Sequence, residues 1–277
     1  MKTSVILSAL LFAGNMAMAQ RTVSTEKNEH NPFVLGIVDK IESVQLAETR
    51  TLNIYLPEDY DKDTATTYPV VYLLDGSANE DFVHIAGLVQ FLTTIKVMPP
   101  SIVVGIANVD RKRDFTHPTT VKKDLKILPT SGGSQKFMLF IEKDLQPYIQ
   151  QNYRTNAQKT IIGQSLGGLL ATEILLKKPD LFDNYLIVSP SLWWNDESLL
   201  SEAKALLQIH AKKSIRVYVA LGNEGLQMKR DVDKFVDILQ TDADKQIKVT
   251  YTTFPDESHL TILHRSIYKG FEVLYQQ

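Results

Sequence analysis

The chain has 277 residues, 44% of them hydrophobic, a formal net charge of −2 and no cysteine. That length and apolar content suffice for one α/β domain with its own core, and the near-neutral charge excludes an electrostatic nucleic-acid binder. The missing thiols exclude disulfides, thiolate catalysis and zinc–thiolate sites, so packing alone must hold the fold.

In chain order, Met1-Lys2 opens a short basic region, residues 5–13 are apolar, and Ala17-Met18-Ala19 offers small residues where a signal peptidase reads. The expectation is a signal peptide over residues 1–19, cut after Ala19, and a periplasmic or secreted product of net charge −3 once Lys2 is gone. The apolar run is too short to span a bilayer, so no stable membrane insertion is expected, and the absence of cysteine leaves no N-terminal lipid anchor. Residues 20–32 are polar and read as a flexible leader, and residues 33–277 as a single domain.

Residues 41–46 and 50–56 read as an antiparallel pair of strands. The continuous apolar runs 70–74 and 102–106 suit strands buried on both faces. Helical patterns over 82–95, 135–151 and 168–178 alternate with these. Later strands are expected at 185–188, 214–221 and 247–254, with helices at 228–239 and 260–275. The pattern predicts a mainly parallel sheet of about eight strands with helices on both faces. Residues 114–134 carry no readable conformation.

The run Gly163-Gln164-Ser165-Leu166-Gly167-Gly168 follows the apolar Thr160-Ile161-Ile162 and opens a helix at Leu169. A bare G-x-S-x-G is weak and occurs in ordinary glycine loops; strand, sharp turn and helix together give it meaning. The turn holds Ser165 in a strained conformation, and glycines at 163 and 167 are expected to remove the clashes that side chains would make. At a helix N-terminus the serine lies where developing negative charge is favoured, so Ser165 is the candidate nucleophile.

A serine hydroxyl needs a base, itself oriented by a third group, and here the chain order is nucleophile, acid, histidine. His30, His84, His117 and His210 precede Ser165 or lie far from a suitable loop; His84 and His117 read as structural or solvent-exposed. His259 ends the turn Pro255-Asp256-Glu257-Ser258 after a strand and is the candidate base, whereas His264 falls inside the following helix. For the acid, Glu224 in the turn Gly222-Asn223-Glu224-Gly225 leads, with Asp196 or a Ser165–His259 dyad as alternatives. Asp231 and Asp233 read as solvated helix charge.

An oxyanion hole would use the amide of Leu166 with that of Gly76 or Ser77, from the loop Asp75-Gly76-Ser77. Arg111 and Arg113 suit contact with an anionic substrate, or ion pairs with Asp110 and Asp114. Trp193 and Trp194 suit an aromatic acyl pocket, or plain packing. No metal or cofactor is expected: H-E-x-x-H is absent, and Gly132-Gly133 lacks the Lys-Ser/Thr of a phosphate loop.

The stretch from Gly163 through Pro179-Asp180-Leu181-Phe182-Asp183 to Ser189-Pro190-Ser191-Leu192-Trp193-Trp194 resembles the putative-esterase family of α/β-hydrolases. That family includes esterase D, feruloyl and acetyl-xylan esterases and enterobactin-type siderophore esterases. The likeness is strongest to the periplasmic siderophore-esterase-like branch, through the Ser-Pro-Ser-Leu-Trp-Trp run and residues 104–116, and it spans residues 33–275. It implies the α/β-hydrolase fold, serine-ester chemistry with Ser165, His259 and Glu224 in the three roles, and a small-molecule ester substrate. A siderophore-type ester is the first expectation, with feruloyl or acetyl esters of plant glycans second. The alternative outside enzymes is a ligand-binding protein on a dead hydrolase fold, and intact Ser165, His259 and strand-end glycines speak against it.

Overall fold

A computed structural model of the protein describes residues 31–210, 213–242 and 246–275. Two units divide the chain, Met1–Val34 and Leu35–Gln277, and every element below belongs to the second. The signal peptide expected over residues 1–19, and the leader as far as residue 30, lie outside the described residues.

The first elements are β1 (Ile37–Ser43), β2 (Glu48–Tyr55), β3 (Tyr68–Leu73), α1 (Phe82–Thr94), β4 (Ile102–Ile106), α2 (Arg111–Phe115) and α3 (Lys122–Ile127). Next, α4 (Ser134–Phe140) runs through a π-helical turn (Ile141–Leu145) into α5 (Gln146–Asn152), and β5 (Thr155–Gln164) leads into α6 (Leu166–Lys177). The remainder comprises β6 (Asn184–Val188), α7 (Trp194–His210), β7 (Ile215–Gly222), α8 (Leu226–Asp242), β8 (Ile247–Phe254) and α9 (Ile262–Tyr275).

The strands form one eight-stranded sheet in the order β1-β2-β4-β3-β5-β6-β7-β8. β2 pairs antiparallel with β1 and β4, and every pairing from β4 to β8 is parallel. This is the expected α/β-hydrolase arrangement. β3 and β4 are buried along their whole length because both faces of the sheet are covered there: Val70 and Tyr72 of β3 enter one core, Val71 and Leu73 the other. In β6, Tyr185 and Ile187 side with the first core, and Leu186 and Val188 with the second. Leu170 and Ile174 of α6, Leu199 of α7 and Phe235 of α8 close the first core; Phe82 and Val89 of α1 and Ile267 and Phe271 of α9 close the second.

Two elements differ from expectation for local reasons. β1 ends at Ser43, whose hydroxyl donates to Asp144 at 2.6 Å and accepts from the Leu46 amide at 3.0 Å, turning the chain before residue 46. The helix expected over 135–151 carries the π turn Ile141–Leu145 one residue ahead of Pro147, which has no N–H to continue an α ladder. Register then sets the site: Gln164 pairs with Val188, Val188 with Ala220, and Gly222 with Phe254. The carboxyl ends of β5 to β8 therefore stand side by side, where open α/β sheets bind ligands.

Candidate active site

Ser165 stands between β5 and α6 with φ 58° and ψ −117°, a conformation that side-chain-bearing residues rarely adopt. Its surroundings fix it there. The Ser165 amide donates to Val188 O at 3.1 Å, and its carbonyl accepts from the amides of Leu169 at 2.9 Å and Ser191 at 3.0 Å. A Cβ at Gly163 would meet Gly167 O at 2.3 Å, so only glycine fits. The second expected glycine is corrected: a Cβ at Gly167 would meet Asp75 Oδ2 at an ordinary 3.4 Å, whereas one at Gly168 would come within 2.9 Å of Pro190 Cα and Val188 O. The confined pair is Gly163 and Gly168.

His259 follows β8, and its Nδ1 lies 2.5 Å from Glu224 Oε2 in the turn after β7. The Glu224 side chain is 2% exposed and that of His259 38%. Glu224 Oε1 also accepts from the Ser189 hydroxyl and, at 3.1 Å, from the Gly222 amide. Burial alone would push the Glu224 pKa up, but hydrogen bonds from His259 and Ser189, the imidazolium charge and the Gly222 amide outweigh it and hold the carboxyl below its usual range. The Gln164 side-chain amide donates to the His259 carbonyl, tying the histidine loop to the strand that ends at Ser165. Asp196 stands elsewhere: its side chain is 68% exposed and lies 3.3 Å from Lys123.

Ser165 and His259 line one cavity of about 390 Å³, together with Asp75, Glu80, Asp81 and Arg111. The Ser165 hydroxyl lies 3.3 Å from that of Ser191, which belongs to the loop after β6. Leu166 is the first residue of α6, so its amide has no partner within the helix and points to the end where negative charge is favoured.

Several sequence expectations are corrected here. The Gly76 amide donates to Ile106 O at 3.0 Å, because β3 and β4 approach so closely that a Cβ at Gly76 would meet Gly105 Cα at 2.4 Å. That amide is spent on the sheet, while the Ser77 amide is held at 3.3 Å by Glu80 Oε2. Arg113 binds Glu48 at 2.7 Å and Asp114 at 2.7 Å, and the buried Arg50 joins the same carboxylates, so Arg113 fastens α2 and does not line the cavity. Trp194 is fully buried, with its indole N–H on His117 O at 2.9 Å, and Trp193 packs beside it on the core. Of the four side chains weighed as substrate contacts, only Arg111 lines the cavity, while Arg113 follows the ion-pair reading and Trp193 and Trp194 the packing one.

His84, His117 and His264 make their contacts away from Ser165. His117 bonds Ser198 Oγ at 3.1 Å, and the ring of His264 on α9 stacks on that of His84 on α1 at 3.6 Å between centroids. Sequence reasoning missed Ser189, which supports Glu224, and Gln164, which holds His259; both follow from strand register, which has no local signature. It also missed Asp75, which grips Arg111 through Nε at 2.6 Å and Nη2 at 2.8 Å.

This sheet, with a strained serine at one strand end and a histidine–carboxylate pair beside it, defines an α/β-hydrolase. The chain matches the family model described as Putative esterase over residues 43–261 and belongs to that family, in its siderophore-esterase-like branch; it is a carboxylic ester hydrolase. It is 29% identical over 264 residues to ferri-bacillibactin esterase BesA of Bacillus subtilis (strain 168), covering 88% of this chain and 91% of that protein. The crystal structure of an IroE-like serine hydrolase from Shewanella oneidensis superposes with a TM-score of 0.81 at 33% identity, covering 87% of this chain and 80% of that one. The BES protein from Bacillus cereus follows at a TM-score of 0.79 and 26% identity, covering 91% of this chain and 100% of its own.

Proposed function

We propose that this enzyme hydrolyses the ester bonds of a siderophore through an acyl-enzyme, with Ser165 as nucleophile, His259 as base and Glu224 holding the imidazole. The Glu224–His259 contact at 2.5 Å, facing the cavity that also contains Ser165, is the observation that carries this reading. A carboxylate on Nδ1 leaves Nε2 as the acceptor for a proton. Ser165 Oγ attacks the ester carbonyl as His259 takes its proton, and the Leu166 amide stabilises the oxyanion. The Ser77 amide, left with only a long 3.3 Å contact to Glu80 Oε2, is assigned as the second donor. The acyl C–O bond then breaks, His259 returns the proton to the departing alcohol, and water repeats the cycle to free the acid and Ser165.

The substrate assignment draws on the relatives, whose names include ferri-bacillibactin esterase and apo-salmochelin esterase. Ala17-Met18-Ala19 after an apolar run supports export and hence work outside the cytoplasm; among the described residues, no helix is long and apolar enough to cross a membrane. Two measurements test the reading. A fluorophosphonate probe is expected to label the wild type and not Ser165→Ala. A catechol trilactone is expected to exceed methyl ferulate and acetylated xylan in kcat/KM by at least about tenfold. A preference for methyl ferulate would move the substrate and keep the mechanism; labelling of Ser165→Ala would remove the nucleophile.

A further inference from the structure

The cavity beside Ser165 and His259 presents three carboxylates, Asp75, Glu80 and Asp81, and one guanidinium, Arg111. Arg111 offers no spare positive charge. Its Nε and Nη2 both bind Asp75, Nη2 also donates to Gln164 O at 3.3 Å, and the guanidinium carbon lies 5.5 Å from the centre of the Phe115 ring. With Arg111 and Asp75 cancelling each other, Glu80 and Asp81 leave the lining net negative. Asn108 Nδ2 reaches Asp75 at 2.7 Å and both Glu80 oxygens at 3.1 and 3.2 Å, which fixes the carboxylates without neutralising them.

We propose that Glu80 and Asp81 are specificity determinants: they make this active site select uncharged or cationic esters and reject esters carrying net negative charge. The inference rests on the ester-hydrolase reading of the cavity and deepens its substrate. A free catechol chelator is uncharged near neutral pH. Three doubly deprotonated catechols around one trivalent iron leave a trianion, so the same filter ranks the metal-free lactone above its ferric complex, which sets this chain apart from the relative named ferri-bacillibactin esterase. A cleft lined by one sign of charge concentrates its field and sets which ligands accumulate there. Asp81 itself reports that field: burial first, then the charges of Asp75 and Glu80, raise its pKa to about 6 against the opposing pull of Arg111.

The test compares p-nitrophenyl methyl adipate with p-nitrophenyl hydrogen adipate, which share leaving group and length and differ by one charge. At low ionic strength the wild type is expected to favour the neutral ester by about tenfold or more in kcat/KM, and added salt to shrink that ratio. In the double variant Glu80→Gln, Asp81→Asn the ratio falls toward one; because it is internal to each enzyme preparation, partial misfolding does not move it. A wild-type ratio near one, or a ratio unchanged by both substitutions, overturns the proposal. A second arm compares a catechol trilactone free and loaded with Ga(III). Faster cleavage of the free lactone supports the proposal, and equal or faster cleavage of the loaded form overturns it. Charge selection on the adipates with neither lactone cleaved upholds the role of Glu80 and Asp81 and removes the siderophore.

Discussion

Glu224 Oε2 lies 2.5 Å from His259 Nδ1, although the two residues stand 35 positions apart and on turns of different strands. The carboxylate is almost fully buried and the imidazole half-open to the cavity, which is the asymmetry an orienting acid and a proton-shuttling base require. Glu224→Gln keeps the side chain's size and removes the charge that stabilises imidazolium. We expect kcat to fall about 10³–10⁴-fold with the fold intact. Asp196→Asn, at an exposed position beside Lys123, is expected to stay within about twofold of the parent. Equal losses in the two variants, or none in Glu224→Gln, would remove Glu224 from the mechanism.

The elbow makes a stability prediction that separates neighbouring glycines. A Cβ at Gly163 meets backbone at 2.3 Å, and backbone cannot rotate away as a flexible side chain does. Gly163→Ala is therefore expected to cost more than about 3 kcal/mol or to prevent folding. Gly167→Ala, with its nearest contact at 3.4 Å, is expected to cost less than about 1 kcal/mol. Urea unfolding of the two proteins decides it. Similar losses would show that the turn, and not the contact, sets the cost.

What was legible in the chain was what local pattern encodes. β8 spans residues 247–254 as its alternation predicted, and β6 and β7 begin within a residue of expectation, because a buried strand writes its period into its own side chains. The elbow was legible because Gly163, Ser165 and a strand–helix boundary lie within ten residues, although its second confined glycine is Gly168 and not Gly167. The errors concern partners brought in by register. Gly76 looked like a free donor until β4 took its amide, and of the two readings of Arg113, substrate contact or ion pair with Asp110 and Asp114, the pair with Asp114 holds and is joined by Glu48, 65 positions away. Residues 114–134 were unreadable because their anchors are distant: Asp124 accepts from the Asn195 amide at 2.9 Å across 71 positions.

The charged cluster around α2 gives a test of the Arg113 correction. Arg50 is fully buried, bonds Asp114 at 2.8 Å and lies 5.1 Å from the centre of the Phe137 ring. Asp114→Asn leaves that guanidinium without its buried carboxylate and is expected to cost about 3–5 kcal/mol. Arg113→Ala removes a partly exposed partner and is expected to cost about 1 kcal/mol or less, with KM for p-nitrophenyl acetate within about twofold of the parent. Chemical denaturation gives the first comparison and steady-state kinetics the second. A large rise in KM for Arg113→Ala would return Arg113 to the substrate site.

Asp81 carries a pH prediction whose sign is fixed by its surroundings. Burial, Asp75 and Glu80 raise its pKa from an ordinary 3.8 to about 6, against Arg111. A carboxyl with a raised folded pKa binds its proton more tightly in the native state. Between about pH 4 and pH 6 the native protein therefore holds more protons than the unfolded chain, and stability falls as pH rises through that window. Below about pH 4 both states are protonated and the penalty is absent; above about pH 6 it is complete. Asp81→Asn is uncharged at every pH, so it is expected to stabilise the protein at pH 7.5 and to give a much smaller difference at pH 4. Allowing for solvent screening of a partly exposed group, the gain at pH 7.5 is on the order of 1–2 kcal/mol. Unfolding free energies of parent and variant at pH 4, 5, 6 and 7.5 measure it directly. A difference that stays constant across the series would mean that ionisation of Asp81 is not coupled to folding, and that Asp75 and Glu80 do not set the potential it feels.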